Sequence, residues 1–192
     1  MDEQGPGNAG LSGVPALKDE AGLYRQLLLS GLITPQDVVA WADRQILNLG
    51  ALPEALVDLS LSGGHRERIL TALGELGPRE LSEAGFGLYA AWLLSLLRAE
   101  PAQLFFVTRA LHRLACQDEA PKGVKDRIDM LDAQLHLAAK LPYIPVSKVE
   151  AEVRKFLEGW AGHAPTGTEP QRPLRPPVQF PPHLGGKVPD PD

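Results

Sequence analysis

Ala84-Gly-Phe-Gly-Leu-Tyr-Ala-Ala-Trp-Leu-Leu-Ser-Leu-Leu97 is the most apolar run of the 192-residue chain. Its 14 residues fall short of the roughly 20 needed to cross a bilayer, and Gly85, Gly87 and Ser95 interrupt it. Leu88, Tyr89, Trp92, Leu93, Leu96 and Leu97 occupy more than one face of a helix, so the helix must be surrounded by others. A buried central helix sets the fold class: the rest of the chain has to supply amphipathic helices that cover it.

The flanking sequence supplies them. A first helix is expected from about Asp19 to Ser30, with Leu23 and Leu27 inward and Gly31 as a left-handed cap. Thr34, Pro35 and Asp37 then read as an N-cap, a first-turn proline and an acid near the positive end of the helix dipole. Val38, Ala42, Ile46 and Leu49 step by four, four and three, with Gly50 expected to close that helix. Pro53 opens a short helix carrying Leu56 and Leu59, and another carries Ile69, Leu70 and Leu73. After the central helix, Pro101 starts one with Leu104, Val107, Leu111 and Leu114 inward. Val124, Ile128, Leu131, Leu135 and Ala138 repeat that pattern beyond Pro121. Ser147-Lys-Val-Glu150 reads as a capping box for a last helix built on Val149, Val153, Phe156 and Trp160. The expected architecture is all-α: a single orthogonal or superhelical bundle of about seven to eight helices with disordered termini.

Three regions follow from composition. Residues 1–18 hold four glycines and two prolines and are expected to be a flexible lead. Residues 19–162 form the helical domain. Residues 163–192 hold nine of the chain's 18 prolines and suit a disordered or polyproline II tail. The domain carries 19 acids against 15 bases, interspersed, which argues against the clustered positive charge that a nucleic-acid backbone demands. The N-terminus has neither the basic start nor the apolar run of a secretory signal, so a cytoplasmic, non-membrane protein is expected. One cysteine, Cys116, excludes an internal disulfide and fits a reducing compartment.

Chemistry-bearing motifs are sparse. His112 and Cys116 stand four apart on one helix, within reach of a common metal ion, but no third ligand has a supporting spacing and no metal site or cofactor is expected. Nothing in the sequence around Cys116 marks it as a catalytic thiol. Ser62-Gly-Gly-His-Arg66 with Arg68 combines a small turn with donors at a helix start, yet lacks the spacing of a phosphate loop. His65, Arg66, His112 and Asp118 are too dispersed for the sequence to say whether folding unites them. Asp126, Asp129 and Asp132 form an acidic stripe interleaved with Lys122, Lys125 and Arg127. The plain reading is a solvated face with local ion pairs; the sharper one is a docking surface for a basic partner. In the tail, Pro170, Pro173 and Arg175, with Pro176 beyond, match the pattern favoured by polyproline-binding modules.

The stretch Gly31-Leu-Ile-Thr-Pro-Gln-Asp-Val-Val-Ala-Trp-Ala-Asp43, followed by Leu56-Val-Asp-Leu-Ser-Leu61, resembles small uncharacterised helical bacterial proteins, some of which are toxin-immunity proteins. The stretch from Ala110 to Ala138 is similar in cadence, and together these cover about half of the helical domain. The resemblance implies no catalytic residues, and it leaves the proline-rich tail unexplained. The expected function is therefore non-catalytic protein binding, most concretely neutralisation of a basic toxin domain, with Asp43, Asp58, Asp126, Asp129 and Asp132 as partner-binding acids. The alternative is an adaptor whose helical body and proline-rich tail hold different partners.

Overall fold

A computed structural model describes residues 13–49 and 51–164, with side chains from Leu17 onward. The described chain is all-α, with eight α-helices and no strand: α1 (Gly13–Leu29), α2 (Pro35–Asn48), α3 (Glu54–Ser60), α4 (Arg66–Leu76), α5 (Glu83–Ala99), α6 (Leu104–Cys116), α7 (Lys125–Lys140) and α8 (Val146–Ala161). A single 3-10 turn, Pro101–Gln103, leads into α6.

Local chemistry fixes the helix ends. Gly31, at φ 72°, closes α1 in a Schellman motif: the Leu32 amide reaches the Leu27 carbonyl at 2.9 Å and the Gly31 amide reaches that of Leu28 at 3.1 Å. Thr34 caps α2 reciprocally. Its hydroxyl accepts from the Asp37 amide at 3.3 Å, while its own amide donates to the Asp37 carboxylate at 2.7 Å. Asp118, at φ 53°, ends α6 in the same way as Gly31 ends α1, with Glu119 N–H bonded to the Leu114 carbonyl at 3.1 Å.

α5 is the axis of the bundle. It packs on α1 and α6 and, most extensively, on α8, while α2, α3 and α4 gather against α1 and one another, and α7 bridges α6 and α8. Residues 85–90 of α5 are all buried, as are Trp92, Leu93, Leu94, Leu96 and Leu97; Ser95 alone faces out within the second half of the apolar run. Gly87 sits where the chain leaving α8 crosses. A Cβ there would lie 2.7 Å from the Ala164 amide nitrogen and 3.0 Å from the Trp160 carbonyl oxygen, so backbone meets backbone only because this residue has no side chain. Phe86 seals the same crossing, edge-on to Trp160 at 5.0 Å between ring centres. Arg154 of α8 donates to the Leu97 carbonyl at 2.9 Å, satisfying one of the open acceptors at the end of α5.

Two local expectations differ from the structure. α1 begins at Gly13, inside the stretch read as a flexible lead, because Leu17 finds a buried place that extends the helical stripe backwards. The capping box at Ser147 is absent. α8 starts at Val146 behind Pro145, and Glu150 instead pairs with Arg154 at 2.7 Å, one turn along the same helix. α2 ends with Leu49 in extended conformation; Gly50, expected to close it, lies outside the described residues, as do Pro170, Pro173, Arg175 and Pro176.

Candidate functional site

The α6–α7 edge gathers most of the singled-out residues. The short connection after α6 folds α7 back along it, and His112 faces Asp129 across the two helices, Nδ1 to Oδ1 at 3.3 Å. One turn further along α6, the Cys116 sulfur stands 3.3 Å from His112 Nε2. The two ring nitrogens point to opposite sides, so thiol, imidazole and carboxylate form a row. They do not converge on one point, and among the described residues no group of three or more His, Cys, Asp or Glu side chains suits a metal ion.

The acidic stripe runs from the outer surface of α7 towards α6. Asp126 is exposed, whereas Asp129 and Asp132 are half-buried, Asp129 against His112 and Asp132 against His136 at 3.3 Å. Two of the three cations that the sequence interleaves with these acids, Lys125 and Arg127, make their ion pairs elsewhere. Lys125 donates to Asp118 at 2.8 Å, a hydrogen bond that is the main cause holding its ammonium above the usual 10.5, and Arg127 donates to Glu152 of α8 at 2.6 Å. Asp129 and Asp132 thus face histidines, and among the described residues no ion pair to a lysine or arginine engages the stripe. Beside Asp126 on the outer face, Met130 and Leu137 are 38% and 49% exposed, and Tyr143, just past the helix, is 76% exposed.

Asp43 and Asp58 do not join this surface. Both are exposed, but on α2 and α3, where Ser60 of α3 donates a short hydrogen bond to Asp43 and ties the two helices. Those helices pack with α1 and α4, while α7 packs with α6 and α8. The turn at residues 62–68 is no anion cradle. Ser62 is fully buried, Gly63 and Gly64 take positive φ, and Arg66 reaches back to the Leu28 carbonyl at 3.4 Å. His65 and Arg66 therefore belong to the α1–α4 corner, and His112 and Asp118 to the end of α6. No hydrogen bond or ion pair joins the two pairs among the described residues.

A polar centre that the sequence reading misses lies under the turn after α6. Glu119, nearly buried, accepts from Arg25 at 2.8 Å and from Gln26 at 3.0 Å; Arg113 approaches it at 3.8 Å and donates to Gln26 at 2.5 Å and to Ser30 at 3.3 Å. Ser30 in turn meets the Tyr89 hydroxyl at 3.2 Å. In sequence, Glu119 is one acid of a short polar break, and Arg25 and Gln26 are ordinary polar neighbours on an amphipathic helix. Nothing local marks them as partners 93 and 94 positions apart.

No family model, no curated protein and no solved structure matches this chain. Among the described residues, no helix is long and apolar enough to cross a membrane.

Proposed function

We propose that this protein works by binding another protein, and that it is an immunity protein which neutralises a basic toxin domain through the α7 face. One observation carries the reading. Lys125 and Arg127 make their ion pairs with Asp118 and Glu152, and among the described residues no lysine or arginine forms an ion pair with Asp126, Asp129 or Asp132, Lys125 acting on Asp129 only from a distance. Exposed Met130 and Leu137 run alongside. Apolar area flanked by one sign of charge gives both the burial that holds a partner and the field that steers it in. A helix pair already packed on the core loses little freedom on association. The resemblance of residues 31–43 and 56–61 to small helical bacterial proteins, some of them toxin-immunity proteins, supports the immunity part of this reading.

Co-expression in a bacterial host with the products of the flanking reading frames tests it. The expected result is rescue of growth from a toxic neighbour, with copurification of that neighbour. Rescue is lost when Asp126→Lys, Asp129→Lys and Asp132→Lys are combined, while Asp43→Lys with Asp58→Lys leaves it intact. Rescue that survives reversal of the whole α7 stripe removes the assigned surface, and a neighbour that neither harms growth nor binds removes the immunity reading.

A further inference from the structure

The row Cys116, His112 and Asp129 has the order of a thiol, a base and a carboxylate behind the base. His112 and Cys116 are one turn apart on α6, so their spacing alone brings sulfur to Nε2. Asp129 comes from α7 and is placed by tertiary packing. The side chains of His112 and Asp129 are 40% and 44% exposed, yet the two facing atoms, Nδ1 and Oδ1, are shielded from water and approach to 3.3 Å without a hydrogen bond between them or to any other group among the described residues. The Asp129 carboxylate is the charge nearest Nδ1 and favours a proton there electrostatically, and that tautomer leaves Nε2 as an acceptor towards the thiol. Cys116 itself is exposed. Around it the charged groups are Lys125, close enough to interact electrostatically with the sulfur, and Asp118, which holds the Lys125 ammonium.

We infer that Cys116 is a modification site: an activated thiol that exchanges with low-molecular-weight disulfides, with His112 as its base and Asp129 as the positioning residue. The step balances. Cys116 gives its proton to His112 Nε2, and the thiolate attacks one sulfur of the disulfide. The new bond to Cys116 forms as the old S–S bond breaks, and the leaving thiolate takes the proton from His112. The product is a mixed disulfide on the α6–α7 edge, on the far side of His112 from Asp129 of the acidic stripe. The inference is independent of what binds that edge, since it is read on the protein alone.

Cys116 is the sole cysteine of the chain, so release of thiopyridone from 2,2′-dithiodipyridine reports on it directly. The second-order rate is measured on the full reduced protein near pH 6, 7 and 8, with circular dichroism to confirm that each variant is folded. An unassisted thiol gains about tenfold in thiolate, and nearly that in rate, for each pH unit below its pKa. The expected wild-type profile is flatter than this and lies at least about tenfold above His112→Gln at the lowest pH. Asp129→Asn should fall between them and steepen the profile, which a merely structural role would not do. Wild type and His112→Gln reacting at equal rates, each rising about tenfold per pH unit, overturns the inference; an Asp129→Asn profile identical to wild type removes Asp129 from it.

Discussion

Arg25 on α1 and Glu119 beyond α6 meet at 2.8 Å across 94 positions of chain, with side chains only 14% and 8% exposed. A carboxylate so enclosed is tolerable because Arg25 and Gln26 hydrogen-bond it and Arg113 stands near. Removing one partner strands the other's charge in a poorly solvated place. Arg25→Met should therefore cost about 3 kcal/mol, and Glu119→Met about 3–5 kcal/mol, in urea unfolding. The double variant Arg25→Met, Glu119→Met should cost clearly less than the sum of the two single losses. Strict additivity would show that the pair is not energetically coupled.

Gly87→Ala should destabilise the α5–α8 crossing. The added methyl meets backbone atoms of residues 160, 163 and 164 at 2.7–3.0 Å, and backbone cannot rotate away as a side-chain tip can. A loss of about 1–3 kcal/mol is expected in place of the gain that Gly→Ala usually brings to a helix. Thermal unfolding followed by tryptophan fluorescence checks the sign. Gly74, also helical and with nothing within 4 Å of an added Cβ, is the control, and Gly74→Ala should raise the melting temperature.

Burial raises the Tyr89 phenol above its ordinary 10.0, and the Ser30 hydrogen bond and nearby Arg113 only partly oppose it; Tyr24 is raised by burial as well. The sign follows from linkage. Between the unfolded and folded values the native state keeps protons that the unfolded chain has released, so stability falls as pH rises there. The protein should hold its stability up to about pH 10 and lose it as the pH climbs through the folded-state values. Urea midpoints taken from about pH 9 upwards test this. Tyr89→Phe, although it gives up the Ser30 contact, should flatten the alkaline decline. An unchanged decline would assign it to other groups.

Thr34→Ala removes the hydroxyl that accepts from the Asp37 amide, and Asp37 loses part of its reciprocal contact. The expected cost is about 1 kcal/mol in urea unfolding, and Thr34→Ser should recover most of it. A loss that Thr34→Ser does not recover would point to packing of the threonine methyl instead of the cap.

How legible each part was depends on the range of the forces behind it. Thr34, Pro35 and Asp37 act within one turn, as does the Gly31 cap, and both are readable as spacing. The heptad-like stripes of α6 and α7 are readable for the same reason. Ser147 and Glu150 show the limit of local reading. The spacing of a capping box was present, but Pro145 let the helix start earlier and Arg154 took the carboxylate. The pairing of His112 with Cys116 follows from helical pitch, whereas Asp129 stands 17 positions further on, and no spacing rule joins it to that pair.

By itself the sequence determined the all-helical class, most of the helix boundaries and the buried character of α5, because periodicity and capping are properties of neighbours along the chain. Only the tertiary structure decided which charges meet. It sent Arg127 to Glu152, enclosed Glu119 between Arg25 and Gln26, set Asp129 behind His112, and parted Asp43 and Asp58 from the α7 acids. Long flexible side chains choose partners by distance and solvation in three dimensions, and those are fixed only once the helices have packed.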